Sequence, residues 1–541
     1  MKLVQHGKMV RIYSQYKVDT VVKLKSIPGS RFGKDLVGSY WDIPASELPL
    51  LLGRFDLSAG SLYPHCARLI NPKQFFGVQA EVKHDRIKIN GPKAQELAKS
   101  IYDLCSYEQK DHKEVTIESL AEKIYDKDVI VVKFPPGLYW RVVGFLKVFD
   151  MDLTIHPYPE KPKSNSMPIS VAGRHYQQEA VNRILNGQVP NRATLVMATG
   201  AGKTIMSAMI TGALGLNTIF YTYSTDLLDQ TAAVYEKIFN QPIGKIGGKY
   251  FDIQPITIAT VQTIHSSLER QDERWQVLSA YLDSVNLMFV DEGHMLGADT
   301  IFTVAQATNS YYSYALTATP QREDGKELLI EAGTGPVRKI ISDQELEEQG
   351  YILPVEVHFV PVKYAPYKSK QYSTQYKKSI VNNNYRNQVI ASFVREDKQT
   401  IILVKEIQHG EKLSQLTGIP FIHGNSKQRK EILELFSNKK IPAIIASPIL
   451  KQGVDIPEAE VLILAHGGNS LVEILQKIGR VRRPAPGKEK GVVIDFYDHC
   501  DHPEDVFRAQ AERRWALYNA NNFKIIGHFN NNTQSLVNPA N

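Results

Sequence analysis

After residue 170 the chain alternates between short apolar runs and stretches of helical period. TLVMA, NTIFYTY, ITIAT and NLMFVDE are apolar runs of strand length, each separated from the next by a helical stretch. That alternation predicts parallel βαβ units. It restarts after Leu353 with VEVHFVPV, TIILVKE, AIIASP and VLILAH, which predicts a second α/β domain. The region before residue 156 is mixed: VTIESLAEKIYD reads as a capped amphipathic helix and DVIVVKF as a strand. Residues 156–170, HPYPEKPKSNSMPIS, hold Pro157, Pro159, Pro162 and Pro168 among polar residues, so neither helix nor strand is expected to run through them. The last residues, NNNTQSLVNPAN, are Asn-rich and nearly without apolar side chains, the composition of a frayed tail. The expected fold is α/β, with two tandem parallel-sheet domains at 171–350 and 351–525. A smaller α+β region (1–155) and a Pro-rich linker (156–170) precede them, and a disordered tail (526–541) follows.

Composition narrows the class. A chain of 541 residues is too long for one core. Hydrophobic and charged shares of 43% and 22% are those of a globular protein, and the net charge of +7 only hints at an anionic partner. Its distribution says more. Residues 1–34 carry eight Lys or Arg and one acid, Asp19, interleaved with Tyr13, Tyr16 and Phe32. That pattern suits phosphate contact with base stacking, and it equally suits a solvated basic face on a small domain. Cys66, Cys105 and Cys500 lie far apart, which argues against a zinc site or disulfide framework and for a reducing compartment. The start lacks the apolar stretch of a signal peptide, and no run approaches the roughly 18 apolar residues of a membrane span. The expectation is a soluble, cytoplasmic protein of a bacterial or phage-infected cell.

Chemistry enters where TLVMA runs into Thr199-Gly200-Ala201-Gly202-Lys203-Thr204 and then IMSAMITGAL. Strand, Gly-rich loop and helix form the context of a phosphate-binding loop, whose backbone N–H groups and helix N-terminus face the phosphates. Lys203 would reach the β- and γ-phosphates, and the Thr204 hydroxyl would bind magnesium. Met197 stands where the usual motif begins with Gly. A second feature supports the first: the run NLMFV ends at Asp291-Glu292-Gly293-His294. Asp291 would hold magnesium through water, and Glu292 would orient and deprotonate the attacking water. Two adjacent acids after four apolar residues are more than a solvated strand end needs. Nucleotide hydrolysis is the reading that accounts for both motifs.

With these two motifs the chain resembles the superfamily 2 helicases and translocases, which implies two RecA-like domains and the use of ATP and magnesium. The remaining motifs of that family follow in order from His175 to Arg483. Arg174-His175-Tyr176-Gln177 resembles the adenine-reading element, with Gln177 on the base. Ser224-Thr225-Asp226-Leu227-Leu228-Asp229-Gln230 and Ala259-Thr260-Val261-Gln262-Thr263 resemble strand-contacting motifs, which makes Thr225, Gln262 and Thr263 DNA candidates. Thr317-Ala318-Thr319-Pro320 resembles the motif that couples hydrolysis to movement; the resemblance gives Thr317, Thr319, His294 and Gln476 that coupling role. Gly453-Val454-Asp455-Ile456-Pro457 and the run from Gln476 to Arg483 resemble the last two motifs, with Gly453 and Asp455 at the nucleotide. Arg480 and Arg483, three apart, would share a helix face and stabilise the transferring phosphoryl group from the other domain. Hydrolysis would then depend on domain closure.

Within the superfamily the similarity is to the XPB-like and UvsW-like branch of DNA enzymes. Gln321-Arg322-Glu323-Asp324-Gly325 resembles the Arg-Glu-Asp element of XPB-type helicases, associated with strand separation. Glu323 and Asp324 would also suit the dipole at the start of the helix KELLIEA. The junction QELEEQGYILP resembles the same branch. Residues 23–55 resemble the HARP element of annealing helicases through Pro28, Gly29, Arg31, Trp41, Ile43 and Pro44. In that family the element recognises branched or forked DNA. Arg31, in the Pro-Gly turn, is the contact candidate and Trp41 a core residue. The resemblance implies an ATP-dependent DNA helicase or translocase that remodels forks and four-way junctions, with recombination or replication proteins as further partners. Three other readings stand beside it: the motor subunit of a restriction system, an RNA helicase, and a binding protein with a decayed ATPase. Intact Lys203, Asp291, Glu292, Arg480 and Arg483 argue against the last.

Overall fold

The computed structural model describes residues 77–110, 115–126, 129–147, 149, 151–271, 273–291, 298–308, 310–318, 326–365, 371–424, 426, 428–447, 459–468, 471–501 and 505–527, together with the backbone of 2–6, 9–13, 31–35 and 38–44. The chain divides into two compact units. The first is Met1–Met197 with Lys203–Ile340, and the second is Ala198–Gly202 with Ile341–Asn541.

The first unit opens with strands Lys2–His6 (β1), Met9–Tyr13 (β2), Arg31–Asp35 (β3) and Gly38–Pro44 (β4), an antiparallel sheet of order β1-β2-β4-β3. Arg31 is the first residue of β3, opposite Asp42. The rest of the HARP-like segment, Pro28 and Gly29 included, lies outside the described residues, as do the side chains of Arg31 and Trp41.

A second sheet, of order β11-β5-β6-β10-β9, is built from Gln79–Val82 (β5), Arg86–Asn90 (β6), Glu122–Asp126 (β9), Val129–Lys133 (β10) and Asp152–Ile155 (β11). The helices Ala94–Leu104 (α1) and Tyr139–Leu146 (α2) contribute buried apolar side chains to the same core. Ser106–Lys110 (β7) and Val115–Ser119 (β8) form a separate hairpin. The expected helix VTIESLAEKIYD is therefore two strands, β8 and β9. Val115, Ile117, Leu120, Ala121 and Ile124 fall near helical spacing, but Ile117 is opposite Glu108 on β7 and Ile124 opposite Val131 on β10. Pairing with strands distant in sequence overrides the local period. DVIVVKF is a strand, as expected. No helix or strand runs through 156–170.

The large sheet of the first unit has the order β15-β14-β16-β13-β17-β18-β12-β19. Its strands are Arg192–Met197 (β12), Thr218–Thr222 (β13), Gly244–Gly247 (β14), Tyr250–Asp252 (β15), Ile256–Thr260 (β16), Leu287–Asp291 (β17), Tyr312–Thr317 (β18) and Val337–Ile341 (β19). From β14 to β12 every pair is parallel, while β15 at the edge is antiparallel. Full burial of β13, β16 and β18 explains why they read as continuous apolar runs. The helices used below are His175–Leu185 (α3), Lys203–Leu214 (α4), Thr225–Phe239 (α5), Val261–Arg270 (α6), Trp275–Ser284 (α7), Ala298–Ala307 (α8) and Glu327–Thr334 (α9).

The second unit holds a seven-stranded, wholly parallel sheet of order β22-β23-β21-β24-β25-β20-β26. Its strands are Val355–Lys363 (β20), Thr400–Leu403 (β21), Phe421–Ile422 (β22), Ala443–Ala446 (β23), Val461–Leu464 (β24), Gly491–His499 (β25) and Lys524–Ile526 (β26). Helix Asp343–Glu348 (α10) precedes the sheet, capped by Ser342, whose hydroxyl accepts from the Glu345 N–H at 3.2 Å. The expected fold class, mixed α/β with parallel-sheet domains, is what the chain adopts. Residues 528–541 of the expected tail lie outside the described residues.

Candidate nucleotide and strand-contact site

Ligands of a parallel sheet gather beyond the carboxyl ends of its strands, where each strand hands over to a loop. In the first unit β12, β18 and β17 are neighbours whose ends are level: Val196 is opposite Thr317, and Leu316 is opposite both Leu195 and Asp291. Beyond β12 comes the loop to α4, which begins at Lys203. Gly200 (φ 89°) and Gly202 (φ 72°) take left-handed backbone in that loop, a conformation that residues with a Cβ seldom adopt. The loop is thus bent as a phosphate-binding turn requires. Met197, where the usual motif has Gly, is fully buried as the last residue of β12, so that position serves the strand. Thr204 lies in the first turn of α4, and its carbonyl accepts from the Ser207 hydroxyl at 2.8 Å.

Asp291 ends β17 partly buried, after four buried residues, as an acid at the tip of an apolar strand. Thr317 ends β18 and is 4% exposed. Glu292, His294, Thr319, Arg322, Glu323 and Asp324, which follow these two strands, lie outside the described residues.

Arg174 and Gln177 stand at the start of α3. The Arg174 N–H donates to Oε1 of Gln177 at 2.9 Å, so the Gln177 side chain satisfies the N-terminal N–H of the helix, and Gln177 is 2% exposed. The adenine-reading candidate therefore also caps its own helix. Gly173, just before, lies so close to Met209 of α4 that a Cβ there would collide with its Sδ and Cε. The element is thereby packed on the helix that Lys203 opens.

Thr225, Gln262 and Thr263 come together on the same sheet edge. The ends of β13 and β16 are level, Thr222 opposite Thr260, and run into α5 and α6. Gln262 donates from Nε2 to the Tyr223 carbonyl at 3.0 Å, and the hydroxyls of Thr260 and Thr263 are 2.8 Å apart. Thr225 and Gln262 are exposed. Gln262 thus ties the second candidate strand-contacting motif to the residue just before the first.

In the second unit, helix Leu471–Val481 carries Gln476 and, in its last turn, Arg480. Arg483 is not on that helix, contrary to the expectation that the two arginines share a helical face. The helix stops at Val481 because Pro484 disfavours helical backbone at the residue before it. Arg482 turns inward: it is 3% exposed, donates to the Leu353 carbonyl at 3.1 Å and to Glu347 at 3.0 Å, and pairs with Asp343. Its role in holding α10 is absent from the motif reading, though three arginines in four positions just before a proline invited the question. Lys488 donates to the carbonyls of Arg483 (3.0 Å) and Ala459 (2.8 Å), and burial pulls its pKa down to about 8. Gly453, Asp455 and the side chain of Gln476 lie outside the described residues. Among the described residues, no cluster of three or more metal-ligating side chains forms and no helix is long and apolar enough to cross a membrane.

Comparison with known proteins gives a consistent answer. Residues 170–322 match the family described as "Type III restriction enzyme, res subunit", and 382–485 the "Helicase conserved C-terminal domain". The chain is 28% identical over 330 residues to "DNA 3'-5' helicase XPB" of Kineococcus radiotolerans, covering 58% of this chain and 57% of that one. It is 25% identical over 357 residues to "DNA 3'-5' translocase XPB2" of Sulfurisphaera tokodaii, covering 57% and 78%. To "ATP-dependent DNA helicase uvsW" of Enterobacteria phage T4 it is 24% identical over 356 residues, covering 60% and 68%. The chain thus spans little more than half the length of the first of these relatives. Over residues 170–322 and 382–485 the chain is thus similar to superfamily 2 helicases and translocases, and the relatives it matches are XPB-like and UvsW-like proteins.

Proposed function

We propose that this protein is an ATP-driven DNA motor that remodels branched DNA, such as forks and four-way junctions. The observation that carries the reading is the single sheet edge shared by the phosphate loop, Thr317, Asp291 and the exposed pair Thr225 and Gln262. Asp291, on β17, is then one strand from β13 and two from β16, whose ends lead to groups suited to a DNA backbone. In this reading Lys203 binds the phosphates and Gln177 reads the base. Glu292 takes the proton of the attacking water, while Arg480 and Arg483 offset charge on the transferring phosphoryl group. Gly453, Asp455, His294, Thr319 and Gln476 keep the nucleotide and coupling roles that the resemblance implies. The Thr204 hydroxyl and Asp291 carboxylate are oxygen donors of the kind magnesium prefers. Bound there, the ion would neutralise phosphate charge.

The named specificities of the relatives favour DNA over RNA. Shape selection is assigned to the region before the linker, where the basic opening stretch and Arg31 lie. Arg322, Glu323 and Asp324 are proposed to act where strands part. A second reading, the motor subunit of a restriction system, is favoured by the description of the family matched at 170–322. ATPase stimulation by single-stranded, duplex, forked and four-way-junction DNA, with RNA as control, separates the readings. Forks and junctions should stimulate most. Stimulation confined to duplexes of particular sequence would favour the restriction motor, and equal stimulation by RNA an RNA helicase.

A further inference from the structure

Helix α9 (Glu327–Thr334) is held at its end and along one face within the first unit. Its start follows β18, the strand that ends at Thr317. At its end, Thr334 Oγ1 is 3.2 Å from Thr194 Oγ1, and Arg192 donates to the Gly333 carbonyl at 3.3 Å. Arg192 and Thr194 begin β12, whose other end runs into the phosphate loop. Between these two points, α9 faces the module made of residues 77–155. Ala332 is fully buried in that module's core, with Phe302 and Leu328 packed on it. Leu329 packs with Tyr107 of β7. Gly137 approaches so closely that a Cβ there would overlap the carbonyl oxygens of Glu331 and Ala332. Across the same contact, Arg141 of α2 meets Glu331 with both prongs of its guanidinium, Nε to Oε1 at 3.0 Å and the second from NH2 to Oε2. Both side chains are 14% exposed. Burial works against the charge on Arg141, and Glu331 more than offsets it, so the guanidinium is held above its usual pKa.

A lone packing contact would need no bidentate ion pair, and partly buried ion pairs add little stability over apolar packing of the same shape. What a fork-to-fork pair does supply is a fixed direction. We propose that the Arg141–Glu331 clamp makes α9 the element through which the nucleotide site and the module 77–155 move together, Arg141 and Glu331 acting as positioning residues for DNA-coupled hydrolysis. The inference rests on the reading of the chain as a DNA motor. A shift of β12 or β18 during the ATP cycle moves α9 through the Thr194–Thr334, Arg192–Gly333 and Ser313–Gly333 hydrogen bonds, and the clamp passes that shift to the module.

The test uses the full chain with Glu331→Gln and Arg141→Lys, each close in size to the residue it replaces. Four quantities are read: DNA-free ATPase, DNA-stimulated ATPase, ATP consumed per base pair of junction migrated, and Tm. DNA-free turnover and KM for ATP should stay within about two-fold of the parent, while ATP consumed per base pair rises about three-fold or more. A purely structural clamp would lower Tm and leave ATP per base pair unchanged, and that result overturns the inference. Should one variant fail to fold, the other decides by the same ratio. A parent protein that DNA does not stimulate would sink the motor reading itself, an outcome distinct from an unchanged ratio in a stimulated one.

Discussion

Lys203 is the first residue of α4 and is only partly buried, so replacing it should leave the fold intact while removing a phosphate contact. Lys203→Ala is expected to lower kcat by at least about 10²-fold, the scale of losing a preorganised charge contact. Glu292→Gln should keep ATP affinity and lose turnover to a similar degree, because an amide cannot accept the water's proton. Near-normal steady-state rates in both folded variants would remove the site assignment. Elsewhere at this scale, His409 is fully buried in helix Ile407–Thr417, with Nε2 3.0 Å from Oδ1 of Asn387 and no hydrogen-bond partner at Nδ1. The amide nitrogen of Asn387 donates to the Val381 carbonyl, so Oδ1 is the acceptor and His409 is neutral with its proton on Nε2. Burial, with Arg386 and Lys412 nearby, pulls its pKa from 6.5 down to about 3. The unfolded chain therefore takes up this proton first. The contribution is complete above pH 6.5 and declines as pH falls toward 3, by about 1.4 kcal/mol per pH unit. His409→Gln should flatten the loss of stability between pH 6.5 and 5 by roughly 2 kcal/mol, read from urea midpoints. Parallel pH slopes for the two proteins would contradict the assignment.

At the scale of elements, the helix Leu471–Val481 and the prolines after it separate three arginines into different roles. Arg480→Ala and Arg483→Ala are expected to lower the maximal rate by on the order of 10³-fold with much smaller effects on nucleotide affinity, as for groups that act in the transition state. Arg482→Ala should instead lower Tm, at a cost of about 1–3 kcal/mol, since two half-exposed acids of α10 lose a buried partner. If weakened ATP binding with an unchanged maximal rate followed from either outer substitution, its catalytic role would be wrong. The position of Arg483 off the helix was legible in advance, because Pro484 follows it. The large sheets were legible for another reason: TIFYT and ITIAT are buried on both faces and need no partner's identity to be recognised as strands. VTIESLAEKIYD was not, since its apolar residues satisfy a helical period while β7 and β10 decide its structure. Arg141 and Glu331 are 190 residues apart and belong to no motif, so nothing local announces their pairing. Gln177 lies between these cases, its motif legible and its capping bond not.

For the whole molecule, the module 77–155 and the parallel sheet that follows it share a core through Ala332. Cutting the chain near Pro168 would uncover Ala332, Leu329 and the Glu331 carboxylate together, so the truncated protein should show a lowered Tm and a tendency to aggregate. The proposed role of the N-terminal region in selecting DNA shape is better tested by Arg31→Ala in the full chain. That substitution should reduce the preference for forks over linear duplex several-fold in competition binding. The ATPase on duplex should be unchanged, and the steep fall of affinity with salt should persist because many phosphate contacts remain. An unchanged fork preference would move shape selection away from β3.

The close fit of Gly137 to α9 also bears on how the protein is made. The glycine and Arg141 leave the ribosome well before Glu331, which lies 190 residues beyond Arg141. At about 5–20 residues per second, the nascent module waits on the order of ten to forty seconds with its surface for α9 open. During that interval the apolar face that Ala332 and Leu329 later cover is open to other nascent chains. Slower initiation, which spaces ribosomes along the message, should therefore raise the soluble yield of this protein more than added folding time after release.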